Sequence, residues 1–271
     1  VVKWHPVGVP GPPLFDLEGR GIVVTGGGGH LGRALVLGLA GLGAVVVACG
    51  RDAARLDAVI DAADGLPGHV HRLVADVSDE TAVAATLERT RELAGATHGW
   101  VNNAFAGTSG PPSPVSAADA AATIASGLTD VVVVTDLVGR HMAANGGGSI
   151  VNIGSMYGVV SPDPRAYLEA PDFHSRPAYG AAKAGVVQLS RYTACQLGPA
   201  AVRVNCVSPG PFPGPAAQAR TGFVAELAGR VPLGRIGEPH ELVGPVAFLL
   251  SDAASYVTGH NLVVDGGWTA W

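Results

Sequence analysis

The sequence predicts an α/β fold, a parallel sheet with helices on both faces. Two observations carry this. Short runs of continuous apolar residues alternate with longer stretches of helical pattern along most of the 271 residues. The first apolar run ends in four consecutive glycines at 26–29, immediately before a helix-compatible stretch. Strands that are apolar throughout are buried on both faces, which is the condition of a parallel sheet. With 48% hydrophobic and 14% charged residues, the chain has apolar content for a sizeable core.

The elements follow in order. Gly-Ile-Val-Val at 21–24 is the first strand, and a helix is expected over 30–42. An apolar run at 44–48, closed by Gly50, gives the second strand, and 51–63 reads as helix. The third strand, 70–74, ends just before Asp76 and is followed by a helix over 81–93. Trp100-Val101 leads into Asn102-Asn103-Ala104, and the Ala-rich stretch 116–144 holds one long helix or two. A strand at 149–153, a helix at 179–197, a strand at 202–207, a helix at 238–250 and a last strand at 261–264 complete the pattern. The crossovers are expected to be right-handed. Residues 111–114 read as a loop, as does 161–177, which holds four prolines. Residues 1–15 read as a Pro/Gly arm and 16–271 as one domain, since no repeat or shift in composition divides them.

Charge and composition exclude several classes. The net charge is −5 with no dense Lys/Arg cluster, which argues against a nucleic-acid partner. Cys49, Cys195 and Cys206 are scattered, give no metal-ligand spacing, and read as free thiols that call for no oxidising compartment. The first residues lack the charged and apolar regions of a signal peptide. No uncharged apolar run reaches the roughly 20 residues of a membrane helix. A cytoplasmic protein without a membrane partner is the expectation.

Thr25, the glycines and His30-Leu31-Gly32 lie between a strand and a helix. Glycines let backbone amides approach a pyrophosphate, and the helix that follows offers unpaired N–H groups and a positive dipole end. Gly26, Gly28, Gly29, His30 and Leu31 are therefore candidate dinucleotide contacts. The second strand ends in Gly50-Arg51, with no carboxylate at its tip to grip the ribose of NAD(H). A guanidinium there suits a 2′-phosphate, so NADP(H) is favoured, with NAD(H) the second option and Asp52 positioned to blunt the charge. Asp76, beside Val77, is read either as an acceptor for the adenine amino group or as a helix cap.

Tyr179 and Lys183 stand four residues apart in helix-compatible sequence and so share one face. An ammonium beside a phenol stabilises phenolate and lowers the Tyr pKa from about 10, which lets the phenol exchange a proton with an alcohol or carbonyl. Ser155 lies upstream in Asn152-Ile-Gly-Ser155.

The glycine turn, Asp76-Val77, Asn102-Asn103-Ala104, Ser155, the Tyr179/Lys183 pair, Asn205-Cys-Val-Ser-Pro209-Gly210 and Val263-Val-Asp265-Gly-Gly267, in this order, resemble the short-chain dehydrogenase/reductase family. The resemblance runs from about 17 to 267. It implies a single Rossmann-type domain with a doubly wound seven-stranded sheet, nicotinamide binding, a small-molecule substrate and a homo-oligomer, a tetramer or dimer. It implies Tyr179 as general acid/base, Lys183 as the group that holds the nicotinamide ribose and depresses the phenol, and Ser155 as the group that polarises the substrate oxygen. Asn103 and Ala104 would pass beneath the cofactor, and Pro209 and Gly210 would form the turn near the nicotinamide.

Four departures from the family pattern stand out. His30 replaces the middle glycine of the turn; its ring would crowd or bond a phosphate, or point to solvent. Gly127 stands where the family carries an Asn that anchors a water for proton relay, with Ser126 or a carbonyl as substitutes. Ser155 and Tyr179 are 24 residues apart, about twice the usual spacing. The additional segment is expected over the substrate pocket, its aromatics and charges suiting a polar, polyhydroxylated ligand; a surface excursion competes with that reading. Its opening resembles a branch of the family associated with sugar and surface-polysaccharide pathways. The turn at 209–213 lacks the usual Thr, leaving backbone amides or Phe212 in its place, and 211–230 reads as a lid. Hydride transfer at a carbonyl or secondary alcohol is the leading expectation. A nucleotide-sensing regulator on the same fold, or an epimerase or dehydratase that reduces nicotinamide transiently, are the alternatives.

Overall fold

In the computed structural model, which describes residues 14–107 and 109–271, seven strands form one all-parallel sheet. They are β1 (Gly21–Thr25), β2 (Val45–Gly50), β3 (His69–Val74), β4 (Gly99–Asn102), β5 (Gly148–Ile153), β6 (Val202–Pro209) and β7 (Asn261–Val264). Their order is β3-β2-β1-β4-β5-β6-β7. The order reverses between β1 and β4, and a crevice at the carboxyl ends of these strands is where such sheets bind ligands. Most of the expected Pro/Gly arm, residues 1–13, lies outside the described residues.

Side chains alternate across the sheet, so each strand feeds two cores. Ile22, Val24, Val46 and Ala48 face α1 (His30–Gly41), meeting Leu35 and Leu39, and α2 (Ala53–Asp61), meeting Leu56. Val23, Val47, Trp100 and Ile150 face the opposite layer, where α3 (Glu80–Ala94) supplies Val83 and Leu87. In that same layer α4 (Ala117–Ile124) leads to α5 (Asp130–Ala144), which adds Val134, Val138 and Met142. The edge strand β3 departs furthest from a buried apolar run, with His69, Arg72 and Val74 exposed, and the other edge strand, β7, is half-buried throughout.

The 116–144 stretch resolves to two helices joined by a π-turn, Ala125–Thr129, with buried Gly127 inside it. By length and composition the run Ala117–Ala144 is apolar enough to cross a membrane, with mean hydropathy 1.6. The remaining helices are α6 (Pro177–Leu197), α7 (Pro215–Gln218), α8 (Thr221–Ala228) and α9 (Val243–Leu250). Two boundaries differ from expectation for identifiable reasons. The α2 helix begins two residues late because Asp52 caps it, accepting the Arg55 N–H at 3.1 Å. The stretch 238–250 splits into a 3₁₀ turn, Pro239–Leu242, and α9, because Glu238 and Glu241 close a capping box around Pro239.

A buried polar network ties the middle of the sheet to its helices. Trp100 Nε1 donates to Asn102 Oδ1 at 2.7 Å, Asn102 Nδ2 to Asn152 Oδ1 at 2.8 Å, and Asn152 Nδ2 to Ser190 Oγ on α6 at 2.9 Å. Every member is satisfied, which is the condition under which such a network stabilises its surroundings. It fixes α6, and with it Tyr179 and Lys183, against β4 and β5.

Candidate active site

The glycine turn is stapled to the end of β4 by Thr25 and Asn103. Thr25 Oγ1 accepts the Asn103 and Ala104 N–H groups at 2.9 and 3.0 Å, and Asn103 Nδ2 donates to the Thr25 carbonyl at 2.8 Å. Gly26 takes φ +64°, and a Cβ there would lie 3.0 Å from Ala104 Cα. A Cβ on Gly32 would overlap the Gly26 carbonyl oxygen. Only glycines let the turn close this tightly at the start of α1.

The result is a cleft of about 540 Å³. Gly26, Gly28, Gly29, His30, Leu31, Arg51, Asp76, Val77, Asn103 and Ala104 all line it. So do Thr25 and Gly32 of the glycine turn, and Ser126, named above as a substitute beside Gly127. Arg55, Phe105 and Asp130 also line it and carried no signal in the sequence; Ser126 lies in the π-turn and Asp130 opens α5. The cradle of glycines at a helix N-terminus, on the switch point of the sheet, fits a dinucleotide pyrophosphate. Pro209 ends β6, and Gly210 and Phe212 follow it outside this cleft; Gly210 N–H donates to the Val264 carbonyl at 2.9 Å, and Phe212 packs on the α1-side core.

The two polar residues at the cleft are resolved differently. His30 is exposed, in keeping with a ring that points to solvent, and its partial burial lowers the imidazole pKa against the pull of the Pro213 carbonyl. Asp76 does not cap α3, because Asp79 does, accepting the Thr81 N–H at 2.8 Å. Asp76 instead accepts Ser78 N–H and Oγ–H at 3.1 and 2.9 Å, and these bonds, with Arg51, hold its carboxyl below the usual range. Arg51 is 3.7 Å from Asp76, with two thirds of its side chain exposed (67%). Asp52 turns to its own helix and to Arg55, 3.3 Å away, so it leaves Arg51 unblunted.

Ser155, Tyr179 and Lys183 come together beyond the far side of Phe105. Ser155 follows β5, is buried, and its Oγ accepts the Tyr157 N–H at 3.1 Å while acting on the Tyr179 phenol. Burial raises the Tyr179 pKa and the Ser155 hydroxyl pulls it back. The expectation that Lys183 depresses this phenol is corrected. Lys183 Nζ donates to the Ile153 carbonyl at 2.8 Å and lies 5.9 Å from the Tyr179 ring centre. Burial pushes its own pKa down to about 8, against the pull of Cys206. Phe105, the residue after Asn103-Ala104, packs edge-on to Tyr179 with ring centres 5.3 Å apart. Beside it, Ser126 Oγ donates to the Ala106 carbonyl at 3.0 Å and is committed there.

The segment between Ser155 and Tyr179 is ordered by a third core. Met156, Tyr157, Ala166 and Tyr167 pack with Phe223 and Leu227 of α8, Val231 and Trp268, and Tyr179 borders this cluster. The Tyr157 and Tyr167 hydroxyls hydrogen-bond to each other inside it. Asp163 pairs with Arg165 at 2.8 Å and with Arg230, and Arg230 with Glu226 at 2.7 Å, so ion pairs clamp the segment to the end of α8. Arg165, Glu169 and Asp172 face outward. The inward surface is thus aromatic with tyrosine hydroxyls, not charged, because the charges neutralise one another at the rim. His174 in the same segment is buried, with its ring centre 4.6 Å from that of Tyr167.

Comparison with known proteins agrees with this geometry. Residues 29–269 match a family model described as enoyl-(acyl carrier protein) reductase. A cis-4-hydroxycyclohexanecarboxylate dehydrogenase from Sinomonas cyclohexanicum is 38% identical over 93% of this chain and 97% of its own length. Among solved structures, one described as a 2-deoxy-D-gluconate 3-dehydrogenase from Agrobacterium tumefaciens, with bound NADP, superposes with a TM-score of 0.83 at 30% identity, covering 96% of this chain and 100% of that one. An NAD+-bound xylitol dehydrogenase superposes with a TM-score of 0.81 at 29% identity, covering 93% and 99%. The match runs from the glycine turn through the whole sheet to the residues after β7, and the chain therefore belongs to the short-chain dehydrogenase/reductase family of NAD(P)-dependent oxidoreductases.

Proposed function

We propose that this protein is an NADP(H)-preferring oxidoreductase that moves a hydride between nicotinamide and the secondary alcohol or carbonyl of a small hydroxylated molecule, with Tyr179 as general acid/base. The observation that carries the reading is the convergence of Ser155, Tyr179 and Lys183 beside a glycine-cradled cleft. The dinucleotide supplies or accepts the hydride when bound. In the oxidative direction an ionised Tyr179 Oη would take the hydroxyl proton, and in the reductive direction the neutral phenol would return it. Ser155 Oγ donates to the substrate oxygen, where charge develops. Lys183 keeps N–H donors beyond the one spent on Ile153, which suits it to hold ribose hydroxyls.

The exposed Arg51 and Arg55 at the cleft, with Asp52 turned away, support NADP(H) over NAD(H). Relatives named for a sugar acid, a polyol and a ring alcohol support a hydroxylated substrate. The aromatic inward surface beside Tyr179 favours, as a second reading, a ring-shaped hydroxy acid over an open-chain polyol. Self-association is supported by the run Ala117–Ala144, whose most apolar window is only 33% buried within one chain.

The test is a spectrophotometric panel in which NADP+ and NAD+ are each offered with polyols, sugar acids and 4-hydroxycyclohexanecarboxylates. Reduction of NADP+ by at least one class, at higher kcat/KM than NAD+, is expected. Dinucleotide binding without turnover of any member would mean a sensor. Rearranged product without net absorbance change would mean an epimerase or dehydratase.

A further inference from the structure

The side chain that joins the cleft to the Ser–Tyr–Lys group is Phe105. Its ring lines the cleft on one side and meets Tyr179 edge-on at 5.3 Å on the other. The Lys183 Nζ lies over the same ring, 5.3 Å from its centre. Two glycines make room for it. A Cβ on Gly107 would overlap Phe105 Cζ, and one on Gly127 would sit 3.2 Å from Phe105 Cε2 and 3.1 Å from Ala182 Cβ. The ring thus takes the volume that any side chain at 127 would need. Sequence reading saw the missing side chain at Gly127 but not what stands in its space.

We propose that Phe105 is a positioning residue, whose ring, wedged between Gly107 and Gly127, seats the Lys183 ammonium and the Tyr179 phenol toward the nicotinamide end of the cleft. The physical case rests on three points. Lys183 is 5% exposed, and its only hydrogen bond among the described residues goes to the Ile153 carbonyl. The face of an aromatic ring attracts an ammonium more strongly when the ammonium is shielded from water, as Lys183 is, so Phe105, itself 39% exposed, supplies a second, non-hydrogen-bonding partner that leaves the other N–H donors free. The edge-on contact fixes the plane of the Tyr179 ring without consuming its hydroxyl. The inference rests on the functional reading above, since it assumes that a nicotinamide riboside lies against Lys183 and Tyr179.

The discriminating experiment compares binding of whole NADP+ with binding of adenosine 2′,5′-bisphosphate, which lacks the riboside end, by calorimetry. Phe105→Leu keeps an apolar filling but removes the ring quadrupole. It should weaken NADP+ binding about tenfold and leave the bisphosphate within twofold of wild type. Gly127→Ala should push the ring by a few tenths of an ångström and weaken NADP+ binding about threefold. In the double variant the alanine should add less than it does alone, because leucine relieves the contact with Phe105 while the contact with Ala182 Cβ remains. Equal losses for both ligands would make Phe105 merely structural, unchanged NADP+ binding would make it idle, and tighter binding would make it an obstruction; each overturns the proposal. Melting curves separate failure to fold in Phe105→Leu, in which case the Gly127→Ala comparison decides alone. Wild-type protein that binds neither ligand would instead sink the reading of the cleft itself, and the inference with it.

Discussion

The two halves of the site are built by different physics. The dinucleotide side, from β1 to the end of β4, is shaped by backbone: glycines that permit close approach, a helix N-terminus, and a Thr–Asn staple. The side proposed to face the substrate, from Met156 to Val231, is shaped by side chains that meet from distant parts of the chain, an aromatic cluster clamped by ion pairs. Changes in the first half should act on dinucleotide affinity and spare the alcohol substrate; changes in the second should do the reverse.

The largest effect expected on this contrast comes from Gly32→Ala. The new methyl would overlap the Gly26 carbonyl, so the turn must open. Binding of NADP+ should fall at least a hundredfold, read by calorimetry on protein that retains its far-ultraviolet dichroism. Next is Arg51→Ala. With Asp52 held by its own helix, this guanidinium faces the cleft, and its loss should weaken NADP+ about tenfold while leaving NAD+ unchanged. Equal effects on both cofactors would assign the 2′-phosphate to another group.

On the substrate side, Tyr157→Phe removes one partner of the buried Tyr157–Tyr167 hydrogen bond. A neutral bond of this kind contributes about 1 kcal/mol, so KM for the alcohol should rise several-fold with dinucleotide affinity unchanged. A change confined to the dinucleotide would dissolve the contrast between the two halves.

An effect of another kind, on stability rather than on binding or turnover, is a pH dependence at the junction. Burial lowers the Lys183 pKa from 10.5 to about 8. Between these values the unfolded chain holds a proton that the folded one has released, so folding stability rises with pH through that window. The penalty is fully present below about pH 8. Relative to Lys183→Met, wild type should gain on the order of 3 kcal/mol between pH 8 and 10.5 in chemical denaturation. Parallel curves for the two proteins would show that the ammonium is not desolvated.

The same division explains what was legible in the sequence. The glycine turn, Arg51 at the tip of β2, Asn103-Ala104 and the Tyr179/Lys183 spacing are local patterns with fixed geometric meaning; the first three line one cleft, and the Tyr179/Lys183 pair lies next to it across Phe105. Phe105 carried no such pattern, because its contacts with Tyr179, Lys183 and Gly127 join three separate stretches. The charges of the 157–178 segment were visible, but their direction was not. Asp163 finds Arg230, which lies 67 residues away, and what remains facing Tyr179 is aromatic. Helix spacing set Tyr179 and Lys183 on one helix, but spacing does not report burial, which raises the phenol against the pull of the Ser155 hydroxyl.

The account stands on Tyr179 as the group that exchanges the substrate proton, and kcat of Tyr179→Phe with the best alcohol, set beside its NADP+ affinity, measures that most directly. A fall in kcat of a hundredfold or more with affinity within twofold of wild type is predicted. Turnover within tenfold of wild type would contradict it.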